Sequence, residues 1–119
     1  MLEKEEKNLI IELTFEFALA AMEFADLLQE KRRNIMADQF LRASLSVASN
    51  VKEAQNAESK ADFIHKIKVS EKEADEVELD LMLCEKAKNY PSNEDLMVKI
   101  RVIIKVLSKI IGTSKRSLN

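Results

Sequence analysis

Apolar residues recur at spacings of three and four along most of the chain, which is the period of an amphipathic helix. The clearest case is a single seam of seven residues: Phe63, Ile67, Ser70, Ala74, Val77, Leu81 and Cys84. Short polar interruptions near residues 31–34, 55–58 and 89–91 divide the pattern. We therefore predict four helices, over about Glu6–Glu30, over about Ile35–Ala54, from Ser59 to about Lys88 and from Ser92 to about Ile111.

The predicted helix ends carry residues that favour capping. Asn34 suits the start of the second helix. Ser59 and Ser92 each precede an aspartate by three residues, which is a capping box with Asp in place of Glu. Gly112 predicts the C-terminal cap of the fourth helix, with continuation of that helix towards Lys115 as the alternative.

Short connections between the helices predict antiparallel neighbours, so we expect an all-α, antiparallel up-and-down four-helix bundle. Its 119 residues fit a single domain, residues 1–119. One glycine and one proline are too few for the turns of a β-sheet protein. Apolar residues make up 46% of the chain but aromatic residues only 5%, which predicts an aliphatic core.

The first and fourth helices have broader apolar faces than one bundle core can bury. Five acids of the first helix lie on one arc of roughly 80°: Glu12, Glu16, Glu23, Asp26 and Glu30. The rest of the surface of this helix is largely apolar. Valines widen the apolar face of the fourth helix: Val98, Val102 and Val106. A monomer would leave a large apolar patch in water, so we expect a homo-oligomer. The alternative is a monomer that tolerates these flanking residues on its surface.

The residues that could support a known reaction are scarce. His65 is the only histidine and has no glutamate three positions before it, which excludes the usual di-iron bundle site. Cys84 lies on the apolar seam and is expected in the core. Gly112 is the only glycine, so there is no glycine-rich phosphate loop. We predict no catalytic residue, metal site, cofactor or small-molecule substrate, and hence a protein that is not an enzyme.

The net charge of −2 gives no general attraction to nucleic acids or anionic membranes. The sequence has no signal segment and no uncharged apolar stretch long enough to span a bilayer. A single cysteine excludes an internal disulfide. We therefore expect a cytoplasmic protein without a membrane partner.

A basic stripe on the predicted fourth helix is the candidate contact for nucleic acid. Arg101, Lys105 and Lys109 are four residues apart, and Arg116 joins them if the helix continues. Such a stripe can bind phosphates. The alternative is a solvated basic face that also complements the negative end of the helix dipole.

A polar stripe on the predicted second helix is the candidate for structure or assembly: Gln39, Arg42, Ser46, Ser49, Asn50 and Glu53. Equal rise along antiparallel helices places Arg42 level with Glu73 of the third helix. An Arg–Glu pair there could fix the register of the helices or a contact between subunits. The alternative is a solvated face.

These residues also carry a family resemblance. The run QFLRASLSVASNVKEA at residues 39–54 resembles the helix 2 signature of small bacterial four-helix-bundle proteins encoded in intervening sequences of large-subunit ribosomal RNA genes. The resemblance continues through SKADFI at 59–64 and KEADEVE at 72–78. Shorter similarities lie at FEFA, residues 15–18, and at residues 110–115.

The resemblance implies an up-and-down bundle that assembles as a ring, homopentameric among relatives, and it implies no enzyme. Related accessory variability proteins of retroelements are strongly basic and act with nucleic acid, whereas this chain is acidic overall. Leu79 and Asp80 stand where relatives often have aromatic residues. Six residues match the family pattern and are interpreted as structural or assembly positions: Arg42, Ser46, Asn50, Glu53, Glu73 and Glu76.

Overall fold

The structure, a computed structural model, describes residues 4–118 and contains four helices. They are α1 (Lys4–Glu30), α2 (Asn34–Ala54), α3 (Lys60–Lys86) and α4 (Glu94–Leu118). No strand occurs among these residues. The predicted all-α fold class is therefore confirmed.

Each helix packs against its neighbours in the order α1, α2, α3, α4, and α4 returns to α1, so the helices form a four-helix bundle. The α1–α4 contact is the least extensive of the four. All seven residues of the predicted α3 seam are buried, as their spacing requires. Phe24 and Phe40 meet edge to face in the core, with ring centroids 5.3 Å apart.

The two corners at one end of the bundle are joined through Arg33. Its guanidinium lies 4.5 Å from the centre of the Tyr90 ring, and its Nη2 donates to the Asn89 carbonyl oxygen at 3.3 Å. Arg32 and Asn89 adopt left-handed backbone conformations, with φ of 62° and 66°. Each of these conformations turns the chain sharply at its own corner, and the Arg33 contacts link the α1–α2 and α3–α4 connections.

The N-terminal caps differ in part from the prediction. Ser59 caps α3 as expected, because its Oγ accepts from the Asp62 backbone N–H at 3.0 Å. The cap of α4 is Asn93 rather than Ser92: Asn93 Oδ1 accepts from the Leu96 N–H at 2.9 Å. Asn34 is the first residue of α2 and not its cap, a position that Arg33 occupies without a side-chain hydrogen bond.

Two helix ends differ from the first prediction, and for α4 the alternative of continuation towards Lys115 is the one observed. Helix α4 passes through Gly112 and reaches Leu118, because Ile110, Ile111 and Ser114 continue its buried face. Gly112 has no positive φ and is therefore not a left-handed cap. Helix α3 ends at Lys86, two residues earlier than predicted.

Candidate assembly surface

Large apolar side chains remain exposed on the bundle, most of all along α1. Phe15 is 61% exposed, although a phenylalanine in a helical bundle normally lies in the core. The other exposed members on α1 are Leu9, Ile11, Leu19 and Met22. Helix α4 adds Val98 and Val102. The broad apolar face predicted for α1 is present in the folded chain. On α4, Val106 is half-buried against the core, and α3 exposes three large apolar residues that the sequence pattern did not single out: Leu79, Met82 and Leu83.

An open groove of about 550 Å³ runs between α1 and α2. Ile11 and Phe15 line one wall, and Leu45 and Ala48 line the other. The acids of the α1 arc are all exposed: Glu12, Glu16, Glu23, Asp26 and Glu30. Apolar and acidic side chains therefore share the outer surface of α1.

The polar stripe on α2 meets α3 through Arg42. Its Nη1 donates to Glu73 Oε2 at 3.2 Å, and its Nη2 donates to Glu76 Oε2 at 3.1 Å. These two acids raise the pKa of Arg42, chiefly through the hydrogen bond from Arg42 to Glu76 and the charge of Glu73. One guanidinium thus joins two successive turns of α3 to α2. The site is exposed, so solvent and salt weaken the pairs.

The rest of the stripe divides between interhelical and local bonds. Glu53 pairs with Lys66 across the α2–α3 interface, Nζ to Oε1, at 3.2 Å. Asn50 Nδ2 donates to the carbonyl oxygen of Ser46 at 2.9 Å and to its Oγ at 3.1 Å. Ser49 Oγ also donates to the Ser46 carbonyl oxygen. The structure therefore brings Arg42 and Glu53 to α3, while Ser46 and Asn50 bond within α2.

Sequence reasoning missed a buried polar pair in the same interface. Gln39 Nε2 donates to Asp80 Oδ1 at 2.5 Å, and Asp80 is only 1% exposed. Its second oxygen, Oδ2, is buried without a hydrogen-bond partner. Burial raises the pKa of Asp80, and the bond from Gln39 opposes that shift only in part. The available signal was spacing, since Asp80 follows Val77 by three residues on the seam.

A second missed bond ties the same helices deeper in the core. Ser70 is buried, and its Oγ donates to the Val47 carbonyl oxygen at 2.8 Å. That carbonyl already belongs to the backbone of α2, so the bond adds a direct link between helices. The seam pattern predicted that Ser70 is buried but could not show which group would accept its hydrogen bond.

The basic stripe lies on the exposed side of α4, and half of it is engaged in ion pairs. Arg101 Nε lies 2.9 Å from Glu78 Oε2, and Lys109 Nζ lies 3.9 Å from Glu6 Oε1. Arg116 donates to Thr113 Oγ1 at 3.3 Å, on the part of α4 that continues past Gly112.

Positive charge also accumulates where α3 passes the end of α4. The close side-chain contact with Lys115, and then the repulsion between the two like charges, lower the pKa of Lys68. Both lysines are exposed. This end of the bundle therefore holds cations that are not all neutralised by neighbouring acids.

Of the groups with potential chemistry, Cys84 lies in the core as predicted. His65 is exposed, and Cys84 is buried, where desolvation raises the pKa of its thiol to about 11. Within residues 4–118, no three histidine, cysteine or acidic side chains are grouped as a metal site would need. None of the helices in that range combines the length and apolar character that crossing a bilayer demands.

Comparison with known proteins places this bundle in a family. The family model described as 23S rRNA-intervening sequence protein matches residues 6–112, which include residues of all four helices. The chain belongs to this family. The predicted resemblance is thus confirmed over most of the sequence.

A solved relative of this 23S rRNA-intervening sequence protein family member has the same architecture. It is a protein of unknown function from the S23 ribosomal protein family of Bacteroides thetaiotaomicron, with 30% sequence identity and a TM-score of 0.84. The match covers 90% of this chain and 98% of the relative. No curated protein matches the chain. The family and the neighbour share a fold, and neither is described by an enzymatic activity.

Proposed function

We propose that this protein is a non-enzymatic homo-oligomeric scaffold, pentameric as the family resemblance implies. The observation that carries the proposal is the exposure of Phe15, Leu19 and Met22 on one helix. Soluble monomers rarely leave contiguous apolar patches of this kind in water, whereas copies of one chain can cover them by symmetric contact.

The dimensions of the bundle are sufficient for such a contact. Its principal extents are 49 × 21 × 20 Å, so one long side offers about 1,000 Å². A standard interface buries about 800 Å² on each partner. A neighbouring copy could therefore form a stable contact on one side and leave the others free.

In this scaffold the polar stripe would set the register of the α2–α3 hairpin. The proposed register residues are Arg42, Ser46, Asn50, Glu53, Glu73 and Glu76. Arg42 can meet both acids only when α2 and α3 keep their observed axial offset. A fixed offset in each copy would give every copy the same outer surface, as a closed ring requires.

The state of the reactive groups supports a role without catalysis. A thiolate is the nucleophilic form of cysteine, and burial raises the pKa of Cys84 to about 11, far above neutral pH. Asp80 bonds to an amide rather than to a histidine or serine that it could activate. These placements fit structural residues.

Native mass at two protein concentrations tests the scaffold proposal. We expect an oligomer at about 100 µM. At about 1 µM the oligomer should either persist or dissociate by mass action. A single monomeric species at both concentrations would refute the proposal. The same measurement at low and high salt distinguishes two kinds of assembly. An oligomer held by apolar contacts persists at high salt, whereas one held only by adventitious charge pairs dissociates because salt screens them.

A nucleic-acid accessory role is the second candidate, and the cations near the end of α4 favour it. Phosphate binding would relieve the repulsion between Lys68 and Lys115, and the neighbouring Arg116 could add a contact. The engagement of Arg101 and Lys109 with acids weighs against this role, because those acids would have to be displaced.

Binding of structured RNA in a gel-shift or anisotropy assay tests this second candidate. A salt-dependent complex that weakens when Lys68 and Lys115 are replaced by glutamine would support it, and the same replacement of Lys105 and Lys109 tests the basic stripe. Lys72→Gln, on the exposed side of α3, is the matched control. No complex at low salt would refute the nucleic-acid role and leave the scaffold proposal untouched.

A further inference from the structure

The exposed surfaces of α1 and α4 have the same apolar character and opposite charge. The α1 ridge consists of exposed Phe15, Leu19 and Met22, bordered by the acids Glu12, Glu16 and Glu23. The α4 ridge consists of exposed Val98 and Val102, bordered by the cations Arg101, Lys105 and Lys109. Arg101 and Lys109 already pair with acids of their own chain, so Lys105 is the cation that the α4 ridge offers to a neighbour, and the α1 ridge offers exposed acids.

We infer that the α1 ridge of one copy packs against the α4 ridge of the next, in a head-to-tail contact. This inference rests on the proposed scaffold function and specifies the surface that the scaffold uses. A symmetric contact between two α1 ridges would place acids against acids, which is unfavourable. Pairing α1 with α4 buries both apolar ridges and places acids opposite cations.

The register within one bundle also suits the contact between bundles. The Glu6–Lys109 pair shows which heights of the antiparallel α1 and α4 coincide. Counting an equal rise along both helices from that pair, Glu12 lies within about one turn of the height of Lys105. By the same count, Phe15 lies at a height between those of Val98 and Val102. Rotation about an axis parallel to the bundle preserves height. The same residues therefore come level when the two helices belong to neighbouring copies.

The positions of the two ridges also favour closure into a small ring. Helices α1 and α4 are adjacent in the bundle, so their outward directions differ by about 90°. In a cyclic assembly, the directions to the two neighbours differ by about 90° for four copies and about 108° for five. Ridges on diagonal helices would instead point in opposite directions and favour an open filament.

The competing apolar surface lies on α2 and α3 and lacks this complementarity. Ile35, Leu79 and Leu83 are exposed there. The cation beside them, Arg42, is paired with two acids of its own chain, whereas Lys105 on α4 has no ion pair among the described residues. This surface supplies matched controls for the experiment.

Two substitutions that block one ridge each test the head-to-tail contact. Phe15→Glu should disable the α1 ridge, and Val98→Glu the α4 ridge, so each alone should weaken assembly at least about 100-fold. Mixed in equal amounts, the two variants should form a one-to-one dimer, because each retains the ridge that the other has lost. Leu79→Glu introduces the same charge at a residue of similar exposure and should assemble as the unmodified chain does.

Charge reversal tests the electrostatic part independently. Glu12→Lys and Lys105→Glu should each weaken assembly by about tenfold. A mixture of the two variants should recover assembly in part, since the lysine introduced into one variant can then face the glutamate introduced into the other. A ring of five copies cannot alternate the two variants throughout, so one of its contacts stays unmatched. Lys72→Glu on α3 is the matched control and should change nothing. Thermal melts of each variant below its assembly concentration show that the bundle itself is intact.

The outcomes separate the two proposals. Native mass spectrometry of the unmodified chain that shows only monomer would refute both the scaffold and the contact. An oligomer that survives Phe15→Glu and Val98→Glu but dissociates with Leu79→Glu would keep the scaffold and overturn the contact. Mixing that yields no dimer, although each single variant is monomeric and folded, would also overturn it.

Discussion

Asp80→Asn is expected to stabilise the bundle at neutral pH. Asp80 is buried, and only one of its two carboxylate oxygens has a hydrogen-bond partner, the Gln39 amide. Asparagine keeps an acceptor for that amide and removes the ionisable group. Leaving a buried polar atom unsatisfied costs about 1–3 kcal/mol, and more when the atom is charged. The asparagine NH2 is itself buried, so we expect a net gain of about 1–2 kcal/mol.

The gain should depend on pH in a defined direction. Burial raises the pKa of Asp80 in the folded state above its unfolded value of about 3.9. Below that unfolded value both states hold the proton, so the carboxyl group carries no ionisation penalty. As the pH rises towards the folded pKa, the unfolded chain releases its proton more readily and the folded state loses relative stability. The advantage of asparagine should therefore be full above the folded pKa and should disappear below about pH 3.9.

The groups around Asp80 explain why the shift is upward. Desolvation has the largest effect on the pKa of Asp80, and it raises that pKa. Glu76 adds negative charge that disfavours ionisation, whereas the Gln39 bond and the charge of Arg42 favour it. Cys84 contributes no charge near neutral pH, because burial and the neighbouring Asp80 raise its pKa to about 11. A neutral side chain at position 80 removes the desolvation penalty.

Chemical denaturation at pH 7 and at about pH 3.5 measures this effect, with each variant compared at one fixed protein concentration. At pH 7 the melting temperature of Asp80→Asn should also rise, by about 4 °C for each kcal/mol. Asp38→Asn makes the same chemical change at an exposed position and should stay within about 0.5 kcal/mol of the unmodified chain. Equal stabilities at pH 7, or a gain of the same size at both pH values, would refute the reasoning.

Three further substitutions test other parts of the structure by denaturation. Gly112→Ala should stabilise α4 by about 0.5–1 kcal/mol, since the glycine is within the helix and an added Cβ meets only a side-chain atom at 3.7 Å; a loss would mean that the helix does not continue there. Ser70→Ala should cost about 1 kcal/mol through the lost bond to Val47, and exposed Ser49→Ala much less; equal effects would contradict the interhelical role. Arg42→Ala should lower stability slightly, because its two ion pairs are exposed, and should shift the oligomer mass; no change in either would contradict its role in register.

The helical pattern predicted the fold because burial follows spacing directly. The α3 seam from Phe63 to Cys84 is buried at every predicted position. The cap of α4 was displaced by one residue because Ser92 and Asn93 are both good caps. In the structure the Asn93 side chain accepts from the N–H of Leu96, which is itself buried in the core.

Contacts in the candidate assembly surface were predictable from the sequence only where the regular geometry of the helices determines which residues lie level. Equal rise along α2 and α3 was enough to set Arg42 level with Glu73. It could not reveal the Gln39–Asp80 bond, because an aspartate at the edge of a seam can equally face water. The sequence left two ends open for α4, because glycine is common just after a helix. The burial of Ser114, which accompanies the longer helix, depends on the other three helices.

The limited contact between α1 and α4 has a consequence for the order of events during folding. The other helix pairs are consecutive in the chain and close short loops, whereas Glu6 and Lys109 meet only after almost the whole chain is in place. Loop closure costs more entropy as the intervening chain lengthens. The α1–α4 seam should therefore form last and open first, with the fastest hydrogen exchange at its rim. Until α4 arrives, the exposed acids of α1 would act as gatekeepers against aggregation.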